Sequence, residues 1–284
     1  MHLDEMTVGD AVALMNAQDA VAVAAVATQR EAITRAVELA AAALAGGGRL
    51  LYFGAGSSGR LGVLDASECP PTFGVDPGMV RGLIAGGDAA MFRSREGAED
   101  NAADGAAAVD GEKVGPGDVV MGIAAGGTTP YVHGALRRAA EVGARTIFLS
   151  CVQPLANEPV VDVVIRPLTG PEVLSGSTRL KAGTATKLVL NAITTIAMVQ
   201  LGKTYENLMV DLRATNRKLQ DRAERIVATV TGLPRERCAT LLKQAEGNVK
   251  PAIVMHARGV DLPRAREILA AAGGKLREAM KGQL

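Results

Sequence analysis

Two kinds of residue in this chain have types and spacings suited to chemistry: carboxylates in restrictive local sequence, and glycine-rich segments that expose backbone N–H groups. Glu68 precedes Cys69-Pro70-Pro71, whose rings restrict the backbone and give a carboxyl group a rigid frame. Glu96, Glu99 and Asp100 share one short segment expected to be helical, and spacing alone does not decide which of them faces a pocket. Most acids are solvated surface charges, so each keeps that reading beside the catalytic one. A carboxyl pair in a cleft can perform acid–base catalysis, one group taking a proton while the other gives one.

The segment Gly54-Ala55-Gly56-Ser57-Ser58-Gly59 joins an apolar run to a helical pattern. At such a junction, unpaired N–H groups and the helix dipole attract an anion, and Ser57 and Ser58 offer hydroxyl donors. The glycines also fit a dinucleotide fingerprint, or a bare turn that packs strand on helix. A second loop, Ala124-Ala125-Gly126-Gly127-Thr128-Thr129-Pro130, has the same placement. Two anion-friendly loops at one sheet edge favour a sugar phosphate over a dinucleotide, since ligands of open parallel sheets collect at the strands' carboxyl ends. A third polar cluster, Glu172, Ser177, Thr178, Arg179 and Lys181, opens a long helix, where helix capping explains it equally well.

Composition removes several classes. Lys and Arg number 31 against 30 Asp and Glu, so no overall field favours nucleic acid or an acidic membrane. Cys69, Cys151 and Cys238 are dispersed and odd in number, against a disulfide framework or zinc site. A reducing cytoplasm fits them. His2, His133 and His256 have no ligand-spaced partner, so surface or packing roles are expected and no metal is implied. No G-x-S-x-G elbow and no lysine after a GxxxxG loop appear, which weakens hydrolase and ATP-driven readings. The acids at Asp4 and Glu5 and the breaks at Asp10, Asn16 and Asp19 are unlike an export signal. Leu188 to Leu201, interrupted by Asn191, Thr194 and Thr195, reads as a buried core helix rather than a membrane span.

The elements that position these residues follow from periodicity. Residues 8–45 are helical and end at Gly46-Gly47-Gly48; apolar runs at 49–53, 80–85, 119–124, 146–149 and 161–165 read as strands between helical stretches. The helix after the first loop is expected to reach about Ser67. Alternation of this kind predicts an α/β fold, a parallel sheet covered on both faces. The run from Thr178 to Gly202 closes that layer, and everything after Asp211 is helical. The expected division is 1–215 for the sheet domain with its N-terminal helices and 216–284 for a small all-helical subdomain.

From Gly54 through Arg60, Asp65, Glu68 and Pro71 to Gly74 the chain closely resembles the N-acetylmuramic acid 6-phosphate etherases. The likeness continues through Leu83-Ile84-Ala85-Gly86-Gly87-Asp88, Glu96-Gly97-Ala98-Glu99-Asp100, Gly170 to Thr184 and Asn207-Leu208-Met209-Val210-Asp211. Gly247-Asn248-Val249-Lys250 and Ala271-Ala272-Gly273-Gly274 look like the family's C-terminal helical part. The resemblance implies a sugar isomerase (SIS) fold, a homodimer, and no cofactor. It also implies Glu68 as acid and Glu99 as base in cleaving a lactyl ether by C2 proton abstraction, elimination and hydration. With the loops above, it gives Gly56, Ser57, Ser58, Gly59, Arg60, Gly126, Gly127, Thr129, Glu172, Ser177, Thr178 and Lys181 as the expected substrate- and phosphate-binding set.

Three departures stand out. The family usually has Ala-Ser-Gly-Arg/Asn-Thr-Pro where this chain has Ala125-Gly126-Gly127-Thr128-Thr129-Pro130, which removes a hydroxyl. Ser57 replaces a common threonine. The chain also begins some residues later than is usual, so a segment that helps dimerisation or covers a pocket is expected to be absent. Two rival functions remain: a non-catalytic sugar-phosphate regulator of the same fold, which retention of Glu68 and Glu99 opposes, and an aldose–ketose isomerase, which releases no lactate.

Overall fold

The computed structural model describes residues 2–93, 95–212 and 217–281. The chain forms two compact units, Met1–Ser67 with Pro77–Thr195, and Glu68–Asp76 with Ile196–Leu284. The expected boundary at 215/216 lies outside the described residues.

The first unit is built on five parallel strands: β1 (Leu50–Gly54), β2 (Val80–Ile84), β3 (Val119–Ile123), β4 (Arg145–Leu149) and β5 (Val163–Ile165), in the order β2-β1-β3-β4-β5. All five coincide with the runs expected from the sequence; β1 and β3, buried along their whole length, read as continuous hydrophobic segments, while the edge strands β2 and β5 expose Arg81 and Val164. The last run is shorter than expected at its start. There the Asp162 N–H donates to the Thr146 carbonyl at 3.1 Å, and the Asp162 carboxylate accepts from the Thr146 N–H (2.8 Å) and hydroxyl (3.1 Å).

Helices α1 (Val8–Ala27) and α2 (Arg30–Ala45) divide the expected 8–45 region at Thr28-Gln29. The Gln29 side chain is drawn off to accept from the Arg166 N–H at 2.8 Å. α2 packs against β1, β3 and β5. On the other face, α5 (Pro130–Glu141) lays Val132, Ala135, Leu136 and Ala139 on Leu51, Phe53, Val120 and Phe148. α4 (Ala102–Gly111) lies along α5 at backbone contact distance: a Cβ on Gly105 would stand 1.9 Å from the Tyr131 carbonyl oxygen, and one on Gly134 1.9 Å from that of Ala102. Only glycine permits that approach.

α3 (Gly56–Phe73) continues past Ser67 and through Pro70 and Pro71, where the sequence suggested an end. Both prolines occupy its last turn, where each removes one N–H bond back to the preceding turn, and the Pro70 carbonyl still accepts from the Gly74 N–H at 2.9 Å. α6 (Lys181–Gln200) is the expected long helix. Its apolar window is 56% buried, whereas that of α1, equally long, is 11% buried and leaves Val8, Val12, Val21 and Val23 exposed.

The second unit gathers α7 (Arg217–Thr231), α8 (Arg235–Gln244), α9 (Val249–Arg258), α10 (Leu262–Ala271) and α11 (Leu276–Met280) around Val227, Cys238, Ile253, Ala265 and Leu276. α9 is central and touches the other four. In this unit Lys250 (2.6 Å) and Lys203 (3.3 Å) share the Asp211 carboxylate beside a cavity of about 320 Å³. Burial lowers the Lys250 pKa against the pull of Asp211.

Candidate active site

β1 lies between β2 and β3, and the chain steps from β1 to β2 on one side before crossing to β3 on the other. The loops after β1 and β3 therefore leave neighbouring parallel strands at the same edge, flanking the point where strand order reverses. Open α/β sheets bind ligands there.

Gly54 and Gly59 serve packing. A Cβ on Gly54 would meet the Gly59 nitrogen at 2.7 Å, and one on Gly59 would meet the Gly54 oxygen and Ile84 Cγ1, each at 2.7 Å. The packing reading of the glycine run therefore explains its two ends. Gly56 differs: its surroundings are open and its φ is +49°, left-handed backbone that glycine tolerates. It begins α3, and the first helical bond runs from the Gly59 N–H to the Ala55 carbonyl. The N–H groups of Gly56, Ser57 and Ser58 thus belong to the helix's unpaired first turn, a built-in anion site.

A cavity of about 210 Å³ opens at this helix start, lined by Ala55, Gly56, Arg60, Arg95, Glu96 and Glu99 among others. Of the expected binding set it takes in Gly56 and Arg60, together with the expected base, Glu99. Arg60 acts as a strut: its Nε donates to the Met91 carbonyl (2.9 Å) and its Nη2 to that of Ala90 (2.8 Å), tying α3 to the short 3-10 turn Asp88–Met91.

The segment holding Glu96, Glu99 and Asp100 is a turn, contrary to the helix expected. Gly97 sits at φ +74°, and the side chain of Asn101 starts α4 by accepting from the Ala103 and Asp104 N–H groups. Glu99 projects into solvent while its carbonyl accepts from the Tyr131 N–H at 3.0 Å. Arg95, absent from the sequence candidates, shares this turn and the cavity. Its place directly before Glu96-Gly97-Ala98-Glu99 was the available signal.

The remaining candidates lie elsewhere. Glu68, the expected acid, is on α3 within the second compact unit and is exposed. Gly126 is exposed with open space around it, whereas Gly127 is buried at φ +77°. The Gly127 carbonyl accepts from Nε2 of buried His133 at 2.8 Å, and that ring stands edge-on to Phe148. His133 is therefore the packing residue that shapes the second loop. Thr129 is the N-cap of α5 without a side-chain cap bond.

Glu172 accepts from the N–H groups of Lys181 (2.9 Å) and Ala182 (3.0 Å), capping α6. Lys181 is buried, with Nζ donating to Gln18 of α1 at 2.8 Å. These contacts favour the capping explanation for the third cluster, in which Ser177 is half-buried and Thr178 exposed. None of these residues lines the cavity that holds Glu99.

Comparison with known proteins places this geometry. Residues 32–140 match the N-terminal SIS domain of glucokinase regulatory protein, and residues 206–251 match that protein's C-terminal lid domain. The N-acetylmuramic acid 6-phosphate etherase of Rippkaea orientalis is 51% identical over 282 residues, covering 99% of this chain and 92% of the relative. That of Synechococcus elongatus is 54% identical, covering 98% and 91%, and that of Thermosynechococcus vestitus 55%, covering 90% and 83%. Among solved structures, a phosphoheptose isomerase from Francisella tularensis superposes with a TM-score of 0.52 at 17% identity, over 68% of this chain and 100% of that one, a likeness of fold.

Proposed function

Since the chain belongs to the N-acetylmuramic acid 6-phosphate etherase family, we propose that it splits the lactyl ether of that sugar phosphate, as a carbon–oxygen lyase. The products are N-acetylglucosamine 6-phosphate and D-lactate, a step in recycling cell-wall sugar. The observation that carries this reading is the meeting, in one cavity, of the α3 N-terminus and Glu99. The first suits a phosphate and the second a proton transfer.

An ether oxygen leaves poorly, so the reaction needs a handle on the sugar. Ring opening supplies one, because the free aldehyde acidifies the C2–H. Glu99 takes that proton, the C3–O bond breaks, and Glu68 delivers a proton to the departing lactate oxygen. Water then adds at C3 of the resulting unsaturated aldehyde and a proton returns to C2, which restores both carboxyl groups. No redox equivalent is consumed. The N–H groups of Gly56, Ser57 and Ser58 hold the phosphate, with Arg60 bracing the wall. Because Glu68 is exposed in the isolated chain, its role calls for a closed site. The exposed apolar side of α1 supports a homodimer, and the dispersed buried thiols support a cytoplasmic setting.

The matches to a regulatory protein favour a second reading, a sugar-phosphate sensor without turnover. Incubation with N-acetylmuramic acid 6-phosphate separates the two. Turnover in heavy water is expected to release lactate and to place deuterium at C2 of the product; lactate without C2 deuterium removes elimination, and absence of lactate removes the etherase reading. Glu99→Gln is expected to lower the rate by about 10²–10⁴-fold with the fold unchanged. A Glu68 variant that stops C2 exchange, beside a Glu99 variant that keeps it, would reverse the two roles.

A further inference from the structure

We propose that Arg95 binds the lactyl carboxylate of the substrate and so selects the muramic sugar over sugar phosphates that lack it; this rests on the functional reading above. The substrate carries two anions, a phosphate on C6 and a carboxylate on the substituent at O3. Besides Arg60, whose guanidinium is turned to the Ala90 and Met91 carbonyls, the cavity offers two separate cationic features. One is the α3 N-terminus with its first-turn N–H groups, which fits a phosphate. The other is the Arg95 guanidinium, whose planar fork fits a carboxylate.

Position assigns the pair. Arg95 and Glu99 belong to one tight turn, in which the Ala98 N–H donates to the Arg95 carbonyl at 3.4 Å. If Glu99 works at C2, a cation on its own turn lies toward the neighbouring C3 substituent, while C6 is at the far end of the sugar. Arg95 is also held in place before any ligand arrives. Its stem passes over Gly86, where a Cβ would meet Arg95 Cδ at 3.1 Å, and its Nη1 donates to the Gly86 carbonyl at 2.9 Å. The side chain is otherwise exposed, and no ion pair engages it among the described residues. Glu96 and Glu99 line the same cavity, so an arginine there also moderates the repulsion an anionic substrate meets.

The test compares Arg95→Gln, Arg95→Lys and the unaltered chain on two ligands. N-acetylmuramic acid 6-phosphate carries both anions; N-acetylglucosamine 6-phosphate keeps only the phosphate. Hydrogen bonds to charged groups set the scale, so Arg95→Gln is expected to raise KM for the muramic substrate about 10- to 100-fold. Inhibition by N-acetylglucosamine 6-phosphate is expected to stay unchanged, with Arg95→Lys intermediate because it keeps charge without the fork. Equal weakening of both ligands would assign Arg95 to the phosphate, and no change in either would remove it from the site; both outcomes overturn the proposal. Calorimetric binding of the same two ligands distinguishes failure of the etherase reading. A chain that releases no lactate yet prefers the muramic sugar, and loses that preference in Arg95→Gln, refutes turnover and keeps this inference.

Discussion

The Glu99 carbonyl accepts a 3.0 Å hydrogen bond from the Tyr131 N–H, so the backbone of the proposed base is tied to the first turn of α5 while its carboxylate stays in solvent. The second glycine loop runs directly into that turn through Thr129 and Pro130. Its structural role is therefore to place Glu99, whatever it contributes to phosphate binding.

Gly134→Ala tests that tie. The new Cβ would stand 1.9 Å from the Ala102 oxygen, so α4 must move off α5 and take the Glu99 turn with it. Overpacking of this kind costs about 1–3 kcal/mol of stability. Misplacement of a catalytic group by about 1 Å costs on the order of 10²-fold in rate. The expected result is a large fall in kcat and a rise in KM for the muramic substrate, because Arg95 shares the displaced turn, with inhibition by N-acetylglucosamine 6-phosphate nearly unchanged because the α3 N-terminus is untouched. Weakened inhibition in steady-state kinetics would show that the anion site depends on α5 as well.

Gly126→Ser adds the hydroxyl that the family resemblance leads one to expect, at a position with nothing within 4 Å of an added Cβ. It is expected to fold with an unchanged melting temperature and to lower KM. Ser58→Ala is expected to raise KM through loss of a donor at the helix start. An unaltered KM in both variants would move the phosphate away from these loops.

The hydrogen bond of His133 to the Gly127 carbonyl carries a pH dependence. Desolvation by burial is the largest influence and lowers the His133 pKa; the Gly127 bond opposes it, Arg137 lowers it further and Glu158 raises it. A base with a depressed folded-state pKa contributes stability that is present above its unfolded value, 6.5, and is lost as pH falls through the folded value. His133→Gln keeps an N–H donor and removes the titration. Urea midpoints measured from neutral pH downward are expected to fall less steeply in the variant, and parallel slopes would contradict this account.

Much of the scaffold is legible in the sequence because β1 and β3 are buried along their whole length and β4 nearly so, and therefore read as apolar runs, while the edge strands β2 and β5 keep enough of that pattern despite exposed Arg81 and Val164. The glycine loops are legible for the same reason, since they punctuate strand-to-helix junctions. The turn at 95–100 is not, because alanine and glutamate favour a helix whereas Gly97 adopts left-handed backbone. Lys181 reads as a ligand cation until α1, 163 positions away, is seen to supply Gln18. Glu172 and Arg60 also have partners that no motif reveals: Glu172 accepts from the Lys181 and Ala182 N–H groups, and Arg60 donates to the Ala90 and Met91 carbonyls. Arg95 escapes notice because its one local signal, its place directly before Glu96-Gly97-Ala98-Glu99, says nothing of where the side chain goes.

All three cysteines are unbridged and buried, and burial pushes the Cys151 thiol up to about 12. A thiol in that condition presents almost no thiolate to an electrophile at neutral pH. The folded chain carries its own reporters, Cys151 in the sheet unit and Cys69 and Cys238 in the other, the latter two shielded from solvent by burial. Alkylation sites mapped by mass spectrometry during a denaturant ramp would register which unit opens first, without a label being introduced.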